Sequence, residues 1–306
     1  MKRFGGLIKR NLLLFFKDKQ AVIFSLLTSI IVLALYLLFL KDSFSGAMND
    51  VVNSFPGLSD LISATDIDMY SNLVLLIGIL GSAMITVPFN CLTLLVKDRE
   101  DKIDYDVLAT PIRRGQIITS YFVSAAISSI ILTGVILTIG LTVVGAQGDL
   151  HLKTCDIVSA YGIVALGSVS ATALFIIIMM LFKSSSASGA FFGMLSAASG
   201  FVIGAYIPIS QFSKSVQTVC NLFPASHVTI VLRNVLMNGL LDYMDSSIGG
   251  LDNGMYVSTI KEIFCFKAHM FSYDMEVGSM LCYVAIGIVI CVVAQIVVYS
   301  KTYKKK

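Results

Sequence analysis

The chain has 306 residues, 56% of them hydrophobic and only 13% charged, with a mean hydropathy of +0.85. That balance excludes an ordinary soluble domain, in which about a quarter of the residues carry charge, and marks a multi-pass membrane protein. The net charge of +3 is small and conceals an uneven distribution along the chain that argues for orientation in a membrane rather than for nucleic-acid binding.

Residues 1–19 form the first element. At 100° per residue, Phe4, Leu7, Ile8, Leu12, Leu14, Phe15 and Phe16 share one half of a helical wheel, and Lys2, Arg3, Lys9, Arg10 and Lys17 share the other. Such a helix lies in a headgroup layer, as a topogenic anchor or as a ledge for a partner. It is not a secretory signal peptide, because basic residues run through it and no small-residue cleavage site closes the apolar run behind it.

Six charge-free runs follow, each long enough to cross a hydrocarbon core of about 30 Å as helix. They are residues 20–40, 71–96, 115–148, 157–182, 184–213 and 277–300. The runs are continuous rather than alternating, which argues against a β-barrel. The spacing predicts an all-α membrane protein with six transmembrane helices and both termini on one face. With both termini in the cytoplasm, sixteen Lys and Arg residues fall inside, including Lys183, Lys301, Lys304, Lys305 and Lys306. Only six fall outside, namely Lys41, Lys153, Lys214, Arg233, Lys261 and Lys267, an asymmetry that the positive-inside rule favours.

The first outer loop, 41–70, carries Asp42, Asp50, Asp60, Asp66 and Asp68. Their scattered spacing predicts a solvated acidic face rather than an oxygen-ligand metal loop. Near the inner end of the second run, Pro88 and Asn90 predict a kink. Residues 97–114, KDREDKIDYDVLATPIRR, then place five basic and five acidic residues between two long apolar runs. As one short helix, this stretch puts Val96, Ile103 and Val107 on one side and Asp98, Asp101, Lys102 and Asp106 elsewhere. That is an amphipathic lever, lying along a membrane or in a partner's groove. Thr110 and Pro111 read as the N-cap and first helical position of the third span.

In the fifth run, Gly189, Gly193, Ala197, Gly200 and Gly204 lie within about 80° of one another on a helical wheel. This small-residue face meets another helix of the chain or, alternatively, forms a subunit seam or pathway wall. Residues 214–276 form an outer segment. A short helix from Pro224 to Gly239 carries Arg233 and is too short to cross, so it is expected to be re-entrant or interfacial. A polar loop is expected over 242–254 and a second amphipathic helix over 257–271.

The six runs contain no Asp, Glu, Lys, Arg or His, so they lack the midplane ionisable groups of ion-coupled carriers. His151, His227 and His269 share no motif with a nucleophile or carboxylate, which favours structural roles. A membrane-embedded enzyme or outer-face sensor built on His227 and His269 is the alternative. Cys91, Cys282 and Cys291 fall within runs as packing residues. Cys155, Cys220 and Cys265 fall outside, and their odd number leaves at least one unpaired. No G-x-x-x-x-G-K-[ST] loop is present, and no catalytic or metal site emerges.

The basic amphipathic start, the six runs, the charged insert and the proline-and-apolar outer segment together resemble the type-2 class of ABC transporter permeases. These are membrane subunits of drug, lipid and polysaccharide exporters. The resemblance is most specific over residues 96–122, VKDREDKIDYDVLATPIRRGQIITSYF, where an acidic helix precedes a T-P-[IV]-x-R segment. It implies one permease domain over 1–306, with 97–114 as a cytosolic coupling helix seated in the groove of a separate P-loop ATPase. That subunit carries the ATP and Mg, and this chain binds no cofactor. By position, Arg99, Glu100, Asp101 and Asp104 would meet the ATPase, while Pro111, Arg113 and Arg114 would fix the lever to the third span. The resemblance further implies a homo- or heterodimer of permease subunits in the plasma membrane. Its second and fifth spans, with Pro88, Asn90 and the glycine face, would line a path for a drug-like, lipidic or peptide substrate.

Overall fold

A computed structural model describes residues 2–54, 61–250, 252–271 and 273–302. Asp60, Lys304, Lys305 and Lys306 lie outside the described residues. Helix α1 (Lys2–Lys17) ends at Asp18, whose carboxylate accepts the Ala21 N–H at 3.0 Å and caps α2 (Lys19–Leu35). A π-helical turn, Tyr36–Leu40, carries the chain straight into α3 (Lys41–Ser54). Much of the expected acidic loop is therefore helical, and α3 packs against α4 and α11.

Helix α4 (Ala64–Glu100) starts at the Ser63 cap and continues unbroken through Pro88 and Asn90. Its 37 residues give a rod of about 55 Å, against about 30 Å of hydrocarbon. It therefore projects beyond the membrane at one or both ends. Next come α5 (Ile103–Ala109), α6 (Arg114–Gly145), α7 (Thr154–Met179) and α8 (Ser185–Val202). After a 3-10 turn at Ile209–Gln211 follow α9 (Lys214–Asn221), α10 (Pro224–Ile248) and α11 (Met255–Ile263). An antiparallel pair, β1 (Ala268–Met270) and β2 (Tyr273–Met275), sets His269 opposite Asp274 and leads into α12 (Val277–Thr302).

Four helices are long and apolar enough to cross a membrane: α4, α6, α7 and α12. The number rises to six if the bent pairs α1–α2 and α9–α10 each count as one span. The predicted fifth span, 184–213, is corrected. Its helix stops at Val202, and Gly204 takes a left-handed φ of +71°, a conformation open to glycine and unfit for helix continuation. The predicted short helix from Pro224 is also corrected. It runs 25 residues through the expected polar loop to Ile248, where Gly249 at φ +64° terminates it. The expected helix over 257–271 ends at Ile263 and gives way to a turn and the first strand of the hairpin, so among the described residues the fold is all-α but for this small hairpin.

Helix α10 also changes the account of internal charge, because it packs against α4, α7 and α12 and takes His227 and Arg233 into the interior. Arg233 is tolerated there by donating from Nη1 to the carbonyls of Phe264 and, at 2.9 Å, Cys265. Both acceptors lie at the C-terminal end of α11, where helical partners run out.

Helix α4 is the axis of the bundle: 83% of its apolar window is buried within the chain, against 11% for α12. Its half nearer Glu100 packs Phe89 against Phe175, Phe191 and Phe192, with ring centroids 5.6–5.7 Å apart. Its other half packs Tyr70 edge-on to Phe264 at 5.1 Å, beside Met48 and Tyr256. Between lipid tails as apolar as these side chains, such contacts hold helices together by close packing rather than by expulsion of water.

Candidate functional site

The charged insert lies where the ends of α1, α4, α6 and the α7–α8 connection converge. It is not one helix. Helix α4 runs on through Glu100, and a turn at Asp101 and Lys102, the latter at φ +61°, reverses the chain into α5. Val96 therefore sits on α4, and Ile103 and Val107 on α5. Thr110 ends α5 rather than starting α6, its hydroxyl donating to the Val107 carbonyl at 2.6 Å. The N-cap of α6 is Arg113, whose backbone N–H donates to the Gln116 side chain at 3.3 Å. Pro111 is exposed in the connection, Arg113 is exposed, and Arg114 is half-buried in the first turn of α6.

Asp98, set apart from the apolar side of the expected lever, is 2% exposed. Arg10 of α1 grips it with both guanidinium nitrogens, at 2.6 and 2.9 Å, and the Tyr121 hydroxyl of α6 donates to it at 2.5 Å. A carboxylate so enclosed needs this fork of charge-assisted bonds. The outer pair Lys97–Asp18, at 4.0 Å and open to solvent, adds little. The clue in the sequence is that Asp98 follows Leu94 and Leu95 by four and three residues. It therefore falls on the buried face once α4 is extended through the charges.

The next two residues tie α4 to the α7–α8 connection. Arg99 donates from Nη1 to the carbonyls of Met180 and Phe182, 2.8 Å each, just past the end of α7. Glu100 accepts the Ser185 N–H at 2.8 Å, at the first residue of α8. A cation thus meets the negative end of one helix dipole and an anion the positive end of the next. Asp101 is exposed in the turn. Asp104 is half-buried, and partial loss of water holds its carboxyl above the usual carboxylate range. Val107 packs inward beside Ile117, Tyr121 and Tyr299. On the outward side of α5, Tyr105 is 67% exposed together with Ile103. Sequence reasoning singled out none of Arg10, Asp98, Tyr121 and Tyr105 as site residues.

The glycine face divides. Gly189, Gly193 and Ala197 are exposed on α8, and a Cβ added at either glycine meets nothing within 4 Å. Gly200 instead packs under the Tyr206 ring, and Gly204 lies beyond the helix. Pro88 and Asn90 are buried within α4. Replacing Gly189 and Gly193 together by leucine is expected to leave the melting of the single subunit within about 0.5 kcal/mol, as at open surface sites. Light scattering in detergent is expected to show loss of a dimer built on this face. An unchanged dimer would assign the face to lipid.

The three histidines keep separate partners. His151 stacks on Tyr243 at 3.9 Å, buried His227 lies against the Tyr283 ring at 4.6 Å, and His269 Nδ1 lies 2.7 Å from Asp274. All six cysteines are unbonded, with Cys220 and Cys265 buried in one small cluster and Cys155 exposed.

The family model of the ABC-2 type transporter matches residues 2–237. The chain belongs to that family. This ABC-2 family member is a multi-pass membrane protein and the permease component of an ABC transporter. The matched region covers α1, the Arg10–Asp98–Tyr121 clamp, the α5 turn, α8 and the first half of α10. No curated protein matches the chain.

Proposed function

We propose that this permease works in an ATP-driven exporter, moving a drug-like, lipidic or peptide substrate out of the cytoplasm by alternating access. Two permease subunits, identical or related, pair in the plasma membrane with all termini cytoplasmic. A separate P-loop ATPase, holding ATP and Mg, docks on α5. The reading rests on the connection made by Arg99 and Glu100, which tie the charged end of α4 to both α7 and α8. A push on α5 has a route to three spanning or near-spanning helices at once. The open α8 face supports pairing of subunits, since α4 is enclosed within its own chain.

Affinity purification from native membranes is expected to capture a P-loop ATPase with this chain. In reconstituted vesicles Glu100→Ala is expected to keep ATP turnover while transport falls about tenfold or more, because Ser185 loses its acceptor. Transport at the unsubstituted rate would overturn the assignment of α4 and α8 as the transmission path.

A further inference from the structure

At the end of the bundle opposite the coupling segment, α9, α10, α11 and the β-hairpin enclose a cavity of about 750 Å³. The hairpin leads into the first turn of α12, whose far end, Tyr299, lies beside Tyr121 at the coupling end. Lys214 of α9, Lys261 of α11 and Lys267 before β1 line it from three separate segments, the Lys261 ammonium lying 5.9 Å from the centre of the Phe266 ring. Among the described residues, none of the three has a carboxylate within 4 Å. Of the two carboxylates on the wall, Asp274 is engaged with His269, and Glu262 is exposed and pairs with no lysine.

The neutral polar side chains do other work. Gln217 donates to the carbonyls of Ser210 and Phe212, and Asn234 to those of Ile230 and Phe266, so both brace the wall. His269, held by Asp274 through Nδ1, keeps a buried Nε2 with no hydrogen-bond partner. Apart from the exposed Glu262, the charged groups left to meet a ligand are thus the three lysines, with the His269 ring beside them. Away from the cavity, Val216 and Val219 of α9 and Leu222 at its C-cap, three residues apart, are exposed, as expected of a helix lying at a lipid surface. A space of this size takes a small molecule rather than a bare ion.

We infer that this cavity binds the phosphate-bearing headgroup of an amphipathic molecule, with the lysines on the phosphate and the apolar portion in the lipid beside α9. The inference is independent of transport direction and of the ATPase.

The test uses the full chain, delipidated in a neutral detergent and titrated by calorimetry with dioctanoyl phosphatidylglycerol, dioctanoyl phosphatidylcholine and inorganic phosphate. Phosphatidylglycerol is expected to bind at least tenfold more tightly than phosphatidylcholine, since a net negative ligand alone gains from three lysines that no carboxylate neutralises. The triple variant Lys214→Gln, Lys261→Gln, Lys267→Gln is expected to lose that preference, while Lys17→Gln, at the coupling end, retains it. Glu262→Gln, which removes an opposing charge from an exposed position, is expected to tighten binding and serves if the triple variant fails to fold. Equal binding of the two lipids, or Glu262→Gln without effect alongside an unaffected triple variant, overturns the proposal. Inorganic phosphate binding as tightly as phosphatidylglycerol would make free phosphate the ligand and overturn the amphipathic assignment.

Discussion

Replacing Arg10 by methionine is expected to destabilise the permease by about 3 kcal/mol, the low end for removing one partner of a buried ion pair. Methionine keeps most of the aliphatic stem but leaves the Asp98 carboxylate, 2% exposed, with only the Tyr121 hydroxyl to hold it. The low end applies because the Arg10 side chain is itself 29% exposed, so water can partly fill its place. In detergent the apparent melting temperature is expected to fall by roughly 5 °C or more. Removing both charges, as Arg10→Met with Asp98→Leu, is expected to recover most of the loss, because no charge is then stranded. The remainder is about 1 kcal/mol for the Tyr121 hydroxyl deprived of its acceptor. A single variant that melts like the parent, or a double variant no better than the single, would show that the pair does not hold α1 to α4. The clamp matters beyond stability because it fastens α1 to the charged end of α4.

That clamp also shows where reading the sequence succeeds and where it stops. Spanning helices such as α6, α7 and α12 are legible because a bilayer demands continuous apolar runs, a property of one stretch taken alone. The fate of a charge is different, since it depends on partners that folding brings from elsewhere. The charges from Lys97 onward ended the second run at residue 96, yet α4 continues through Asp98, whose charge is taken up by Arg10, 88 positions earlier. Arg233 argued against a deep helix, yet α10 is deep because two carbonyls, 31 and 32 positions later, satisfy the guanidinium. The fifth run failed in the other direction. Its residues are apolar through 213, but Gly204 supports a backbone reversal that the spacing of small residues alone presented as a packing stripe. Within the charged insert the charges were visible, but the division into the end of α4 and a separate α5 was not. That division is set by the turn at Lys102 and by the burial of Val107 against α6.

Tyr105→Ala is expected to weaken association with the ATPase about 30-fold while leaving the melting of the permease unchanged. The ring is 67% exposed on α5, beside exposed Ile103 and among the carboxylates of Asp101 and Asp106. An exposed aromatic with an acidic surround on a short projecting helix has the composition of an interface anchor, and truncating such a tyrosine costs about 2 kcal/mol or more. At 1.4 kcal/mol per decade, that is roughly the 30-fold stated. The contrast with Glu100→Ala separates two roles within one segment. Glu100 already holds Ser185 of α8, so its loss is expected to spare docking and impair transmission. Among the described residues the Tyr105 side chain has no such bond to lose, so its loss is expected to reduce docking, with transport recovering when excess ATPase is supplied. Wild-type recovery of ATPase with the Tyr105 variant would place the docking surface off the outward face of α5. Failure of excess ATPase to restore transport would place Tyr105 in transmission, on the same path as Glu100.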